Sequence, residues 1–208
     1  MSEFDEDSAV GNAQIPEAVF IDPKAVEHCT PPSAYTDLNQ HDANKDHPHA
    51  YFNRGYFIEK KRVGLVLGGD WDTPLSPRFD ELLEYLAIRD HMAGNRHWSE
   101  SDFCKRCVRA VESGYYSKGF DSARDFVDGR LRQLEELISS ISKHGVHPSN
   151  GVYDNISVNI DSSGRYMFNN RGHHRLAIAC NLGIKEVPVL VVVTHKKFFS
   201  VPERNGRN

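Results

Sequence analysis

Long apolar runs are missing from this sequence. The longest, Val187 to Val193, holds seven residues including Pro188, against the ~20 that a membrane-spanning helix needs. Cysteine is scarce as well. Four in 208 residues do not make a disulfide framework. An excess of basic charge is lacking: Lys and Arg total 25 against 29 Asp and Glu, a formal net charge of −4, with a pI near 6.2. That balance argues against a general nucleic-acid binder, which is usually basic. No internal repeat and no low-complexity tract is found. The first ten residues are acidic and lack the apolar core of a signal peptide, so the expected compartment is the cytoplasm. What remains is a polar globular chain, 39% hydrophobic with mean hydropathy −0.55. One domain with much loop and surface is expected.

Charge is uneven. Residues 1–50 carry ten acidic and two basic side chains, so the rest of the chain has a net +4. A mildly basic body behind an acidic leader is compatible with an anionic small-molecule ligand, and equally with plain solubility.

Residues 1–14 read as a disordered acidic leader. Ala18 to Asp22 reads as a short strand, residues 28–50 as a loop, and Arg62 to Leu67 as a strand entering Gly68-Gly-Asp-Trp-Asp72. Ser76-Pro77 opens a helix with Phe79, Leu82, Leu83 and Leu86 on its apolar face. Ser99 opens a second, with Asp102 completing a capping box, that stops at Gly114. A third runs from about Asp121 to Lys143, with Val127, Leu131, Leu134, Leu137, Ile138 and Ile141 as an amphipathic stripe. Gly145 and Pro148 end it. Ile156–Ile160 alternates like a half-buried strand, Asp161 to Gly164 is a hairpin turn, and Tyr166–Phe168 is the return strand. A short helix fits Gly172 to Leu182, capped by Gly183. The β-branched run Val187–Val193 suits a strand buried on both faces.

The stretch Phe168-Asn-Asn-Arg-Gly-His-His-Arg-Leu-Ala-Ile-Ala179 carries the most chemistry. It places a glycine turn ahead of a helix that starts with two histidines and an arginine. Unsatisfied N–H groups at a helix start attract phosphate. Gly172 lets backbone come close to a ligand, and the guanidinium of Arg175 grips phosphate oxygens. A cation at a helix N-terminus is unfavourable unless an anion neutralises it, so the pattern itself predicts an anion there. His173 and His174 can donate to phosphate or carry protons. Adjacent helical positions diverge by about 100°, so only one of the pair is expected to face the ligand.

This stretch resembles the ParB/sulfiredoxin superfamily, and the likeness extends over about Leu131 to Thr194. Leu134-Glu-Glu-Leu-Ile-Ser-Ser-Ile-Ser-Lys-His-Gly145 with Pro148 looks like the family's helix and turn, and Leu182-Gly-Ile-Lys-Glu-Val-Pro-Val189 like its helix end and last strand. Members bind nucleotides, with phosphate held by the signature turn; the family includes partition-protein CTPases, free-serine kinases, sulfiredoxins and domains labelled nucleases. Sulfiredoxins have cysteine directly after the glycine, where this chain has His173. Partition proteins read Gly-Glu-Arg-Arg and continue into a DNA-binding domain, whereas 14 residues follow Thr194 here. The serine-kinase version, Asp-Gly-His-His-Arg, is nearest, but Arg171 stands in place of its aspartate and adds positive charge to the turn.

Asp70 and Asp72 follow a strand and two glycines. Such a pair could hold Mg²⁺ or act as a general base, or simply shape a turn. Trp71 between them reads as a core residue. Cys104-Lys-Arg-Cys107 lies within a helix and has no second cysteine pair, so no zinc is expected. His41, His47 and His49 with Asp42 and Asp46 match no defined metal spacing. His195-Lys-Lys197 closes the last strand and reads as a solvated basic tail or as a stretch that reaches phosphates.

The expected fold is therefore α/β (α+β): residues 15–198 form one ParB/sulfiredoxin-like domain with a small mixed sheet. Its core spans 115–198, residues 77–113 form a helical insertion or lid, and residues 199–208 a flexible tail. The expected function is nucleotide binding (ATP or CTP, with Mg²⁺) linked to phosphotransfer or nucleotide hydrolysis. Gly172, His173, His174, Arg175 and Arg171 bind phosphate, His173 takes part in catalysis, and Asp70 or Asp72 is the base or metal ligand. The alternatives are a non-catalytic nucleotide or anion sensor that meets a protein or nucleic-acid partner, and a ParB-like nuclease. No membrane partner is expected, nor specific DNA binding without an added domain.

Overall fold

A computed structural model of the chain describes residues 17–30, 63–73, 78–114, 122–149, 155–169 and 171–200. The leader, the His/Asp-rich residues 31–50, Ser76-Pro77 and the tail beyond 200 lie outside them. The described chain is of mixed α/β content. Its elements are β1 (Val19–Ile21), β2 (Val26–Cys29), β3 (Leu65–Leu67), α1 (Leu83–Met92), α2 (Asp102–Glu112), α3 (Ala123–His144), β4 (Ile156–Ile160), β5 (Tyr166–Phe168), α4 (His173–Leu182) and β6 (Val187–His195).

The six strands make one mixed sheet in the order β1-β6-β4-β5-β2, with β3 also on β6. The long β6 runs parallel to β4 along one edge. On its other edge it pairs with antiparallel β1 through Val187–Val189 and with parallel β3 through Val193–His195. The β4–β5 hairpin is antiparallel, and β2 adds to β5 in parallel. Tyr166 and Phe168 pack into the main core while Met167 between them joins Trp71 and Val193. This alternation means that β5 is covered on both faces.

Two-sided cover corrects the expectation of a half-buried β4. Its polar residues are buried too, and hydrogen bonds make that tolerable. Ser157 Oγ donates to Asn169 O. Asn159 Nδ2 donates to Thr30 Oγ1 at 2.9 Å, and its Oδ1 accepts from Val193 N at 3.1 Å. Asn159 thus ties β4 to β6 and to the end of β2. His28 and Cys29, expected in a loop, belong to β2. At the other end of the described chain, a 3-10 turn, Lys196–Ser200, extends into the expected tail.

Helix boundaries shift where a local contact outweighs the pattern. Phe79–Glu81 is a 3-10 turn, and Leu82 is extended at ψ 136° before α1 begins. Phe79 is held there by Phe168, with ring centroids 4.9 Å apart. In α2 the cap is Ser101, whose Oγ accepts from Cys104 N at 3.1 Å, rather than Ser99. Ser99 is taken up by the 3-10 turn Trp98–Glu100. Helix α3 matches its stripe closely. Ser122 caps it by accepting from Asp125 N at 3.1 Å, and Gly145 ends it at φ 74°.

Helices α1 and α2 pack into the main core. Ala87, Ile88, Phe103, Cys104 and Cys107 share one buried cluster with Phe126 and Leu134 of α3 and Leu176 to Ala179 of α4. Four consecutive buried positions in α4 mean that it is enclosed by neighbours on several sides. Each buried Leu, Ile or Phe contributes on the order of 1.5–3 kcal/mol. No helix among the described residues is long and apolar enough to cross a membrane.

Gly172, expected to make room for a ligand, makes room for the sheet. Its φ is +80°, and a Cβ there would lie 2.7 Å from Ile156 Cα in β4. Backbone cannot yield as a side chain does. Gly172→Ala should therefore cost about 1–3 kcal/mol by overpacking, with ~1–2 kcal/mol more from the left-handed backbone. Urea denaturation measures this, and a wild-type midpoint in the variant would contradict the close approach.

Candidate functional site

The first turns of α1 and α4 meet. Residue Glu84 is in the first turn of α1, on the face with Ala87 and Ile88 that turns to the core. Its side chain is 3% exposed. One carboxylate oxygen is 2.8 Å from His173 Nε2 and the other 2.5 Å from His174 Nε2. The two imidazoles stack loosely, with centroids 4.2 Å apart. Both histidines therefore turn to one group, although their positions diverge around the helix. Glu84 is placed between them, and long side chains at a helix start have the freedom to bend toward it.

This carboxylate is the anion that the basic helix start calls for, and it comes from the chain itself. Carboxylates are favoured near a helix N-terminus, and Glu84 is in the first turn of its own helix while touching the first turn of another. Burial works against its charge, but the imidazoles of His173 and His174 hold its carboxyl well below the usual range. Burial pushes His174 down to about 4, against the pull of Glu84 in the other direction.

A fourth side chain arrives from α3. Arg130 Nη2 is 3.1 Å from His174 Nε2, the same nitrogen that faces Glu84, while its Nη1 donates to Gln133 at 2.7 Å. Arg175 is partly buried in the first turn of α4. The Arg171 backbone continues the hairpin pairing, accepting from Ser157 N at 3.1 Å. Gly172 at the N-cap offers no capping side chain. The cluster thus combines a buried carboxylate, two imidazoles and the Arg130 guanidinium, a set suited to proton transfer, to anion binding or to metal ligation.

Asp70 and Asp72 are not part of it. Asp72 is buried, and its Oδ2 accepts from Ser162 N at 2.8 Å, past the end of β4. Gly172 packs on Ile156 at the start of that strand. From Ile156 to Asp161 the strand covers roughly 17 Å at ~3.3 Å per residue. The acid pair and the start of α4 thus lie toward opposite ends of β4. Asp70 is exposed, and its carbonyl closes a turn by accepting from Thr73 N at 3.1 Å. His195 also belongs to this far end: its Nε2 donates to Gly69 O at 2.8 Å and its Nδ1 accepts from Lys197 N at 3.0 Å. Trp71 is a core residue, packed with Met167 and Val193.

Burial disfavours thiolate formation at three of the four cysteines. Cys104 and Cys107 are buried within α2. Burial pushes the thiol of Cys104 up to about 11, Cys180 to about 11 and Cys29 to about 12. Thiols of that kind stay protonated and are poor nucleophiles and poor metal ligands.

Glu84 was not recognisable as a site residue from the chain, since it lies some ninety positions before the histidines. Its one local signal is an acid on the apolar i, i+3, i+4 face made with Ala87 and Ile88. With the site described, comparison with protein-family models, curated proteins and solved structures gave no significant match.

The far-end acids should act on stability alone. Burial opposes the charge of Asp72, but hydrogen bonds from Ser162 and the nearby His195 leave its carboxyl below the ordinary value. A lowered folded-state pKa stabilises fully above the unfolded value of ~3.9 and is lost as the pH falls from there through the folded value. Asp72→Ala should lose ~1–3 kcal/mol at pH 7, and the difference from wild type should shrink below about pH 4. Urea denaturation over a pH series checks this; a difference that grows on acidification would contradict it.

Proposed function

We propose that this chain is a ParB/sulfiredoxin-like nucleotide-binding protein that holds phosphate at the start of α4 and has Glu84, in place of Asp70 or Asp72, as its acid–base group. The observation that carries the reading is the meeting of Glu84, His173, His174 and Arg130 at one helix start. Guanidinium groups on two helices, Arg130 on α3 and Arg175 on α4, suit the spread charge of a phosphate chain. The N-terminal N–H groups of α4 add to that attraction. Glu84 is within reach of His173, so a proton taken from a substrate hydroxyl has a carboxylate–imidazole pair to enter. Phosphotransfer or nucleotide hydrolysis, with Mg²⁺ arriving on the nucleotide, is the reaction class that uses these groups.

Calorimetric titration with ATP and CTP in the presence of Mg²⁺ tests the reading. Binding should be detected with at least one of them, and Arg175→Ala should weaken it by about ten- to a hundredfold, from the ~1.5–3 kcal/mol of a charged hydrogen bond. Absence of binding to either nucleotide, or unchanged affinity in the variant, would overturn it. Phosphate release over hours separates an enzyme from a sensor: a sensor binds and releases none.

A further inference from the structure

We infer that Glu84, His173 and His174 form a binding site for a divalent first-row transition ion of the zinc class. The inference does not depend on nucleotide binding, because the ion can be measured alone. His173, His174 and Glu84 each offer one ligand atom, a ring nitrogen or a carboxylate oxygen, and these atoms all lie within 4.8 Å of one another; no other group of three such side chains does so among the described residues. Metal–ligand bonds of ~2.0–2.1 Å to nitrogen and oxygen place neighbouring donors about 3.3–3.4 Å apart. Glu84 now contacts one imidazole through each carboxylate oxygen, at 2.8 and 2.5 Å, and these contacts open by about 0.5–0.9 Å to admit the ion between them.

The hydrogen-bond roles at His174 point the same way. Its Nε2 faces a carboxylate, which only accepts, and a guanidinium, which only donates. A ring nitrogen bears either a proton or a lone pair, so neither tautomer serves both neighbours. With a cation between the nitrogen and Glu84, the lone pair and the carboxylate both become ligands. Arg130 is then left beside the ion to hold an anion bound to it.

The donor set selects the ion. Two imidazoles and one carboxylate suit zinc and its first-row neighbours, whereas Mg²⁺ and Ca²⁺ prefer oxygen alone. Three protein ligands leave at least one coordination position for water or a ligand anion, as in catalytic rather than structural sites.

The test uses the full chain, stripped with chelator and dialysed. Titration with Zn²⁺ should give one site per chain, and Co²⁺ should give visible d–d bands without a thiolate charge-transfer band. His173→Ala and Glu84→Gln should each weaken Zn²⁺ binding by about tenfold or more, since even groups behind the ligands matter by 10–100-fold. A variant with His41, His47 and His49 all changed to Ala should bind as wild type does. Where Glu84→Gln fails to fold, as judged by circular dichroism, His173→Ala and the wild-type Co²⁺ spectrum decide. No binding by the folded wild type, a thiolate band, or wild-type affinity in His173→Ala would each overturn the inference. Loss of Zn²⁺ binding in the loop variant would do so too, by moving the site to that loop.

Discussion

A buried carboxylate needs partners, and most of the site's geometry follows from the partners Glu84 takes. It lies in the first turn of α1 and meets two imidazoles in the first turn of α4. The contact is tolerable in the interior only because hydrogen bonding and charge offset the loss of water. It also sets register. If α1 slid by one turn on α4, Glu84 would face the apolar side chains that now surround Ala87 and Ile88. The chain therefore answers its own electrostatic conflict at the basic start of α4. A ligand that binds there joins or displaces Glu84 rather than entering a vacant anion hole.

The sheet separates two chemistries. The α4 end, reached from β5 through Gly172, collects Glu84, His173, His174 and Arg130. The other end, past β4 and β6, collects Asp72, Asp161 and His195 in bonds that close turns. Asp161 accepts from Ser163 N and Arg165 N at 2.8 and 2.9 Å, and its carboxyl is held low by these bonds and by Arg165 despite burial. Acids that look alike in the chain thus differ in role because β4 stands between them.

Local signals in the sequence were enough for α3, for the β4–β5 hairpin and for α4, where period, caps and turn residues agree. They were not enough for β2, a four-residue strand set by pairing with β5 and a bridge from His28 to Arg78. The start of α1 shifted because Phe79 docks on Phe168, a contact made across the fold. At the site, His173, His174 and Arg175 were legible as a chemical group, and the need for an anion was legible with them. Its identity was not, because Glu84 reaches the histidines through tertiary packing of α1 on α4. Asp70 and Asp72 were ambiguous for a matching reason: strand-end acids after glycine look the same whether they meet a ligand or a turn.

Coupling between Glu84 and His173 is the most direct measure of this account. A double-mutant cycle with Glu84→Gln and His173→Ala, read by urea denaturation at pH 7 without added metal or nucleotide, isolates the pair from its surroundings. The account predicts a favourable coupling of about 1 kcal/mol or more, as expected for a buried, charge-assisted contact. Additive effects of the two substitutions, within ~0.3–0.5 kcal/mol, would contradict it.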